Sequence, residues 1–333
     1  MNVPHDPHPA EVEAPRPLLC AVDQSIEARE AADVAAGLAA RLDAPLVLAH
    51  VLADRSVFPH GAAVEVERHR ADMLETAQLL IERISSDSPR SRQPRVRLAF
   101  GDPVEKIMAI GDDEDAQLLI VGSRGRGAVE AAVLGGVSGR LAARSPRPVL
   151  VVPPDGAREF RRSLSEGAPS VVCGVDGSEP AELAARHAAD LAARLGLRLV
   201  LVHVYGNRPR ALHAGTSGAL PHHGAIALEG ERRSGRDILD RVAKLIRPDV
   251  EASLRLQSGE PAATLKHRAA RECAAVIVTG SRGRRAVTSA LLGSVSMRLA
   301  ATAGRPVMVV SMDPARPQRE TQATLGSRRS AQA

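Results

Sequence analysis

Two stretches of this chain are near-copies of each other. Gly122–Val152 and Gly280–Val310 align without a gap, with roughly two-thirds of their positions identical. Each copy starts from an apolar run (Leu118–Val121; Val276–Thr279) that stops at a glycine. A second glycine follows three residues on, and a third ten residues after that. A repeat of this kind restricts the chain to folds built from a unit that occurs twice. A strand delivering its carboxyl end into a glycine-spaced loop that feeds a helix is suited to cradling phosphate.

The repeat extends beyond the loops. Asp23 matches Asp176 and His50 matches His203 at one constant interval. Gly101 matches Gly259, Gly122 matches Gly280 and Pro148 matches Pro306 at a second interval, roughly five residues longer. The extra residues therefore fall in the second half, within Tyr205–His223. At 333 residues the chain can form two domains, each with its own core. Residues 16–154 and 170–313 are read as those domains, 155–169 as a polar joining segment, and 1–15 and 314–333 as disordered tails.

Within each half, short apolar strands alternate with helical segments. In the first half, strands are expected at Leu18–Val22, Leu46–Val51, Arg95–Phe100, Gln117–Val121 and Pro148–Val152. Helices are expected at Ile26–Leu42, Val64–Ser85, from Val104, and at Val137–Ala143. The second half repeats the strands at Ser170–Val175, Leu197–Val204, Glu251–Leu256, Ala275–Thr279 and Pro306–Val310. This alternation predicts an α/β fold with a parallel sheet covered on both faces. Aromatic residues make up only 1% of the chain, so the cores must be built from Val, Leu, Ile and Ala.

Charge and cysteine content exclude several classes. The net charge is +5, but Arg316, Arg319, Arg328 and Arg329 against Glu320 put most of that excess in the C-terminal tail. No aromatic residues interleave with the arginines of the folded part to stack bases, which argues against nucleic acid. No apolar run is long enough for a membrane span, and the N-terminal residues lack the apolar core of a secretory signal. Cys20, Cys173 and Cys273 form no CxxC pair. Cys20 and Cys173 read as small buried core residues, and a reducing cytoplasm suits them.

The glycine pattern is G-x2-G-x9-G followed by a small residue: Gly122, Gly125, Gly135 and Gly136 in the first half, Gly280, Gly283, Gly293 and Ser294 in the second. Glycine allows close backbone approach to a phosphate. The helix that opens at the third glycine offers unpaired N–H groups and a positive dipole end. A Walker A loop is excluded because the chain has no Gly-Lys pair. A Rossmann fingerprint is excluded because G-x-G-x-x-G is absent and the loop follows the fourth strand.

Together with Val22-Asp23-Gln24-Ser25, Val175-Asp176-Gly177-Ser178, His50-Val51, His203-Val204, Gly101-Asp102-Pro103 and Gly259-Glu260-Pro261, these loops make the chain resemble a tandem universal stress protein between residues 16 and 313. The resemblance implies two open parallel five-stranded sheets of order 3-2-1-4-5 with helices on both faces, of the Rossmann-like adenine-nucleotide α-hydrolase type. It also implies ATP as ligand, accompanied by Mg²⁺ or Mn²⁺. The aspartate (Asp23, Asp176) would meet the ribose or metal side, and the backbone of Val51 or Val204 would hold adenine. Phosphates would lie on Gly280, Arg282, Gly283, Gly293, Ser294, Val295 and Ser296. The first-half equivalents are Gly122, Gly125, Gly135, Gly136, Val137 and Ser138. Gly136 departs from the Ser/Thr pattern, which implies weaker binding there. Dimer contacts are implied along the last strands, read as sheet edges, either within the chain as a pseudo-dimer or between chains.

Plainer readings stand beside these. Asp23 and Asp176 can cap the following helices, as can Ser25 and Ser178. His50 and His203 read as structural histidines. His60, His222 and His223 lie in loops without metal-ligand spacing. Arg124, Arg126, Arg282, Arg284 and Arg285 can pair with phosphate or form a solvated rim. Three functions remain open: a nucleotide-dependent stress regulator with a protein partner not specified by the sequence, a slow ATPase or phosphotransferase, and a nucleotide-free interaction module. No general base stands beside the phosphate loop, so no catalytic residue is assigned.

Overall fold

The computed structural model describes residues 15–52, 93–124, 134–206, 221–283 and 292–312, with single helical positions at 71, 75, 78, 79 and 82. The segments read as tails fall in 1–14 and 313–333, and most of the helix expected over Val64–Ser85 also lies outside the described residues. So do Gly125, Arg126, Arg284, Arg285 and His60.

The first half runs β1 (Leu18–Ala21), α1 (Ile26–Leu42), β2 (Leu46–Leu52), β3 (Arg95–Phe100), α2 (Pro103–Asp113), β4 (Leu118–Gly122), α3 (Gly136–Arg144) and β5 (Val149–Val152). Helix α4 (Gly156–Ser165) follows. The second half runs β6 (Ser170–Gly174), α5 (Glu179–Leu195), β7 (Arg198–Tyr205), α6 (Pro221–Ala243), β8 (Ala252–Ser258), α7 (Pro261–Arg271), β9 (Ala274–Gly280), α8 (Ser294–Thr302) and β10 (Val307–Val310). Each half has the expected 3-2-1-4-5 order. The two sheets join into a single layer, β3-β2-β1-β4-β5-β10-β9-β6-β7-β8. All pairings within a half are parallel, with Leu18 opposite Leu46 and Leu118, and Ser170 opposite Arg198. At the seam β5 and β10 run antiparallel, Val149 opposite Val309 and Val151 opposite Val307.

The last strands were expected at sheet edges. Instead each has a neighbour on both sides, because each half covers the other's edge. The pairing within the chain is present, and it leaves neither strand an edge for a second chain.

The central strands are buried along their length, as a parallel sheet covered on both faces requires. Alanine supplies much of the helix surface against them. In α1 the buried set is Ala28, Ala31, Ala32, Val34, Ala35, Ala36, Leu38 and Ala39, small residues that let the helix lie close to the sheet. Cys20 and Cys173 are buried free thiols whose pKa burial pushes far up, as core residues rather than redox groups.

The joining segment carries α4, which its polar composition (Arg158, Arg161, Arg162) concealed. Phe160 is 2% exposed and anchors the helix against α1, its ring 3.2 Å from where a Cβ on Gly37 would stand. On its other side Glu159 pairs with the buried Arg305 at 3.1 Å, and Ser163 Oγ donates to Ala274 O at 3.1 Å. Asp155 gives α4 no side-chain cap. Backbone amides at 155–157 hydrogen-bond the carboxylate of Glu30 in α1, while burial raises that carboxyl above its usual range. His222 and His223, read as loop residues, belong to the first turn of α6.

Candidate functional site

In each half the first and fourth strands are neighbours, and the helices that follow them leave to opposite faces. That divergence opens a crevice beyond the strands' carboxyl ends. In the second half the crevice is a cavity of ≈ 720 Å³, lined among others by Asp176, Val204, Gly280, Arg282, Gly283, Gly293, Ser294, Val295 and Ser296. Every second-half residue that the resemblance assigned to the nucleotide thus lies on one cavity, of a size usual for small-molecule sites.

Asp176 ends β6. Its Oδ1 accepts from the Ser178 amide at 3.0 Å and the Ser178 hydroxyl at 2.6 Å. Asp23 holds Ser25 in the same way, and Ser25 Oγ in turn accepts from Ala28 N at 3.1 Å as the N-cap of α1. Capping therefore falls to Ser25, with Asp23 bracing it, while Ser178 makes no side-chain cap bond. A Cβ on Gly283 would stand 2.6 Å from Asp176 Oδ2, so the glycine loop meets the aspartate directly.

His203 Nδ1 donates to Val175 O at 2.8 Å, and His50 Nδ1 to Val22 O at 2.6 Å, tying the second strand of each half to the end of the first. These are the structural roles expected for them. Val202 O accepts from Val175 N at 2.9 Å on the β6 side. Backbone groups alternate sides along a strand, so the N–H and C=O of Val204 point the same way, past the end of β6 and into the crevice. In the first half Ala49 O accepts from Val22 N at 2.9 Å, which orients Val51 identically.

The glycines divide by cause. A Cβ at Gly280 would stand 2.8 Å from the Pro180 carbonyl carbon, and one at Gly122 2.8 Å from that of Glu27. These two admit the first turn of the helix that crosses them. Gly293 N donates to Ser281 O at 2.7 Å and folds the loop back, so that α8 starts at Ser294 with no side chain capping its amides. Gly135 does the same for α3, and a Cβ at Gly136 would meet nothing within 4 Å. The Ser296 hydroxyl is buried and donates to Gly280 O at 2.6 Å, and Ser138 Oγ donates to Ser123 O at 2.9 Å. Their protons brace the loops. Val137 and Val295 are half-buried in the first turns of the loop helices, packed on the core of their face.

The loop helices are also anchored from behind. Asp102 caps α2 and accepts from Arg140 of α3 at 3.1 Å. The amide of Glu105 first, and Arg140 in addition, hold its carboxyl below the usual range. Glu260 caps α7 and pairs with Arg298 of α8 at 3.4 Å. In the first loop Arg124 lies 3.7 Å from Glu27.

Sequence reasoning missed the rest of the cavity wall: Thr279, Tyr205, Gly206, Pro261, Leu265, and Glu231, Ser234 and Ile238 of α6. Thr279 was visible as the one polar residue in an apolar strand. The three α6 residues share a helix face by their spacing, but nothing local says which side faces a ligand. Glu231 accepts from Gly206 N at 3.0 Å and ties α6 to the end of β7.

Comparison with known proteins gives concordant matches. A model of the universal stress protein family matches residues 15–153 and 169–311. A universal stress protein of Mycolicibacterium smegmatis is 33% identical over 303 residues, covering 88% of this chain and 96% of its own. Another, of Mycobacterium tuberculosis, is 32% identical over 295 residues, covering 86% and 94% respectively. The crystal structure of a universal stress protein from Archaeoglobus fulgidus shares the fold, with a TM-score of 0.59 at 19% identity, over 89% of this chain and 98% of that one.

Proposed function

The chain belongs to the universal stress protein family, and from that premise we infer that it binds ATP in the second crevice and acts as a nucleotide-dependent regulator of a stress or dormancy response. The observation that carries this is the convergence of Asp176, Val204, Gly280, Gly283 and Gly293–Ser296 on one cavity. Asp176 stands at the sugar end, the backbone of Val204 faces the base, and the open amides of α8 with the Ser294 hydroxyl face the phosphates. Among the described residues no group of three or more His, Cys, Asp or Glu could hold a metal ion. Mg²⁺ or Mn²⁺ would therefore arrive on the phosphates, whose oxygens supply the ligands such ions prefer. Among the described residues no helix is long and apolar enough to cross a membrane. With two buried thiols we assign the protein to the cytoplasm.

Nucleotide titration by calorimetry tests this reading, with Gly283→Val as the control. A branched side chain there runs into Asp176 Oδ2. Loss of ATP binding at the second crevice is the expected result, with the fold intact by circular dichroism. Unchanged affinity in that variant would sink the assignment. Mass spectrometry of the purified protein adds the second arm: retained ATP marks a regulator, and conversion to ADP marks an ATPase.

A further inference from the structure

The two crevices agree at the base and sugar ends and differ at the phosphate end, where the loop helix begins and where the first helix crosses the glycine loop. Asp23 and Asp176 are braced alike by serines, and Val51 and Val204 present their backbones alike. Where the second crevice has the hydroxyl of Ser294, the first has Gly136. Where the second has Pro180 in the first turn of its helix, the first has Glu27. The Glu27 carboxylate lies 3.7 Å from the guanidinium of Arg124, with the two side chains only 23% and 16% exposed. A carboxylate held there offsets the charge of Arg124. It also repels an incoming ligand in proportion to the negative charge that ligand carries, and partial burial keeps the repulsion from being screened. One lost hydroxyl and one carboxylate set against Arg124 penalise each further phosphate, and leave the nucleoside end untouched.

We propose that the first crevice is a site for an adenosine-type ligand bearing one phosphate or none, closed to triphosphates by the Glu27–Arg124 pair, while the second takes the triphosphate. This rests on the nucleotide reading of the second crevice and extends it: the chain holds two phosphorylation states of one nucleoside at once.

Equilibrium dialysis of the full chain with labelled AMP, titrated in the presence of saturating ATP and Mg²⁺, reads this directly. The expected result is AMP bound alongside ATP, without competition. The Gly283→Val variant should lose ATP and keep AMP and adenosine. Adding Glu27→Ala to that variant should raise its ATP affinity about tenfold, the scale of one partly buried ion pair, and leave adenosine unchanged. Competition of AMP with ATP for a single site in the wild type overturns the proposal without relying on any variant. So does preference for Mg²⁺-ATP over AMP in Gly283→Val, or indifference of ATP affinity to Glu27→Ala. Failure of the wild type to bind ATP at all, with AMP still bound and Glu27-dependent, strikes the reading of the second crevice instead and spares this one.

Discussion

At the scale of single residues, identical glycines serve different ends. Gly280 and Gly283 both read as phosphate-contact positions in the sequence. Yet a side chain on Gly280 would strike the backbone of Pro180 and Ala181, whereas one on Gly283 would strike only the Asp176 carboxylate. Gly280→Ala should therefore cost stability, about 1–3 kcal/mol as for other overpacked sites, measured as a lowered urea midpoint. Gly283→Val should cost binding. Gly136 is the converse case, with open space where a side chain would go. Gly136→Ser restores one donor at the first crevice. A hydrogen bond to a charged group is worth about 1.5–3 kcal/mol, so triphosphate affinity there should rise about tenfold or more, read by calorimetry in the Gly283→Val background. An unchanged isotherm would show that the added hydroxyl does not reach the ligand. The glycines were legible as a motif, but their separate roles were not. Whether a missing Cβ serves a ligand or a crossing helix depends on Glu27 and Pro180, residues distant in sequence.

Secondary elements were legible wherever apolar period and length agreed. The β3 strand and the α1 helix were predicted at their observed bounds, and β7 and β8 run slightly further than expected because pairing continues past the apolar run. The element that escaped was α4. Its large apolar anchors are Phe160 and the half-buried Leu164, and a single i, i+4 pair among arginines is too short to set a period. What makes it a helix is tertiary: the carboxylate of Glu30 at its amino end, and Arg305 and Ala274 O along its side. Phe160→Ala removes the largest fully buried side chain and should cost about 3–5 kcal/mol. Chemical denaturation checks it, and a loss well under that range would mean α4 is a passive tether. The wall formed by α6 was illegible for a related reason, since Glu231 looks like an ordinary solvent-facing residue until the Gly206 amide meets it.

For the whole molecule, the decisive fact is that ten strands form one layer, with α4 clasping both halves. Such an arrangement should unfold as one unit. Tyr205 is the only tyrosine in a chain without tryptophan, so intrinsic fluorescence reports the second half alone while circular dichroism reports both. Coincident urea transitions by the two probes are expected, and separated ones would show that the seam does not couple the halves. The duplicated apolar runs marked the strands of each half, while their order and the pairing of the last strands within the chain came from the family resemblance, because an edge strand and a seam strand carry the same apolar pattern. The outer strands are guarded differently. Arg95 and Arg97 pair with Glu114 at one margin and Arg255 with Glu272 at the other, a charged border that resists further strand addition. The antiparallel seam has a last effect on how the chain meets its surroundings. Where β5 finishes, β10 begins, so the mouths of the two crevices open on opposite margins of the layer, turned further apart by its twist. A protein that settles over one mouth leaves the other bathed in solvent, free to load and empty while its twin is covered.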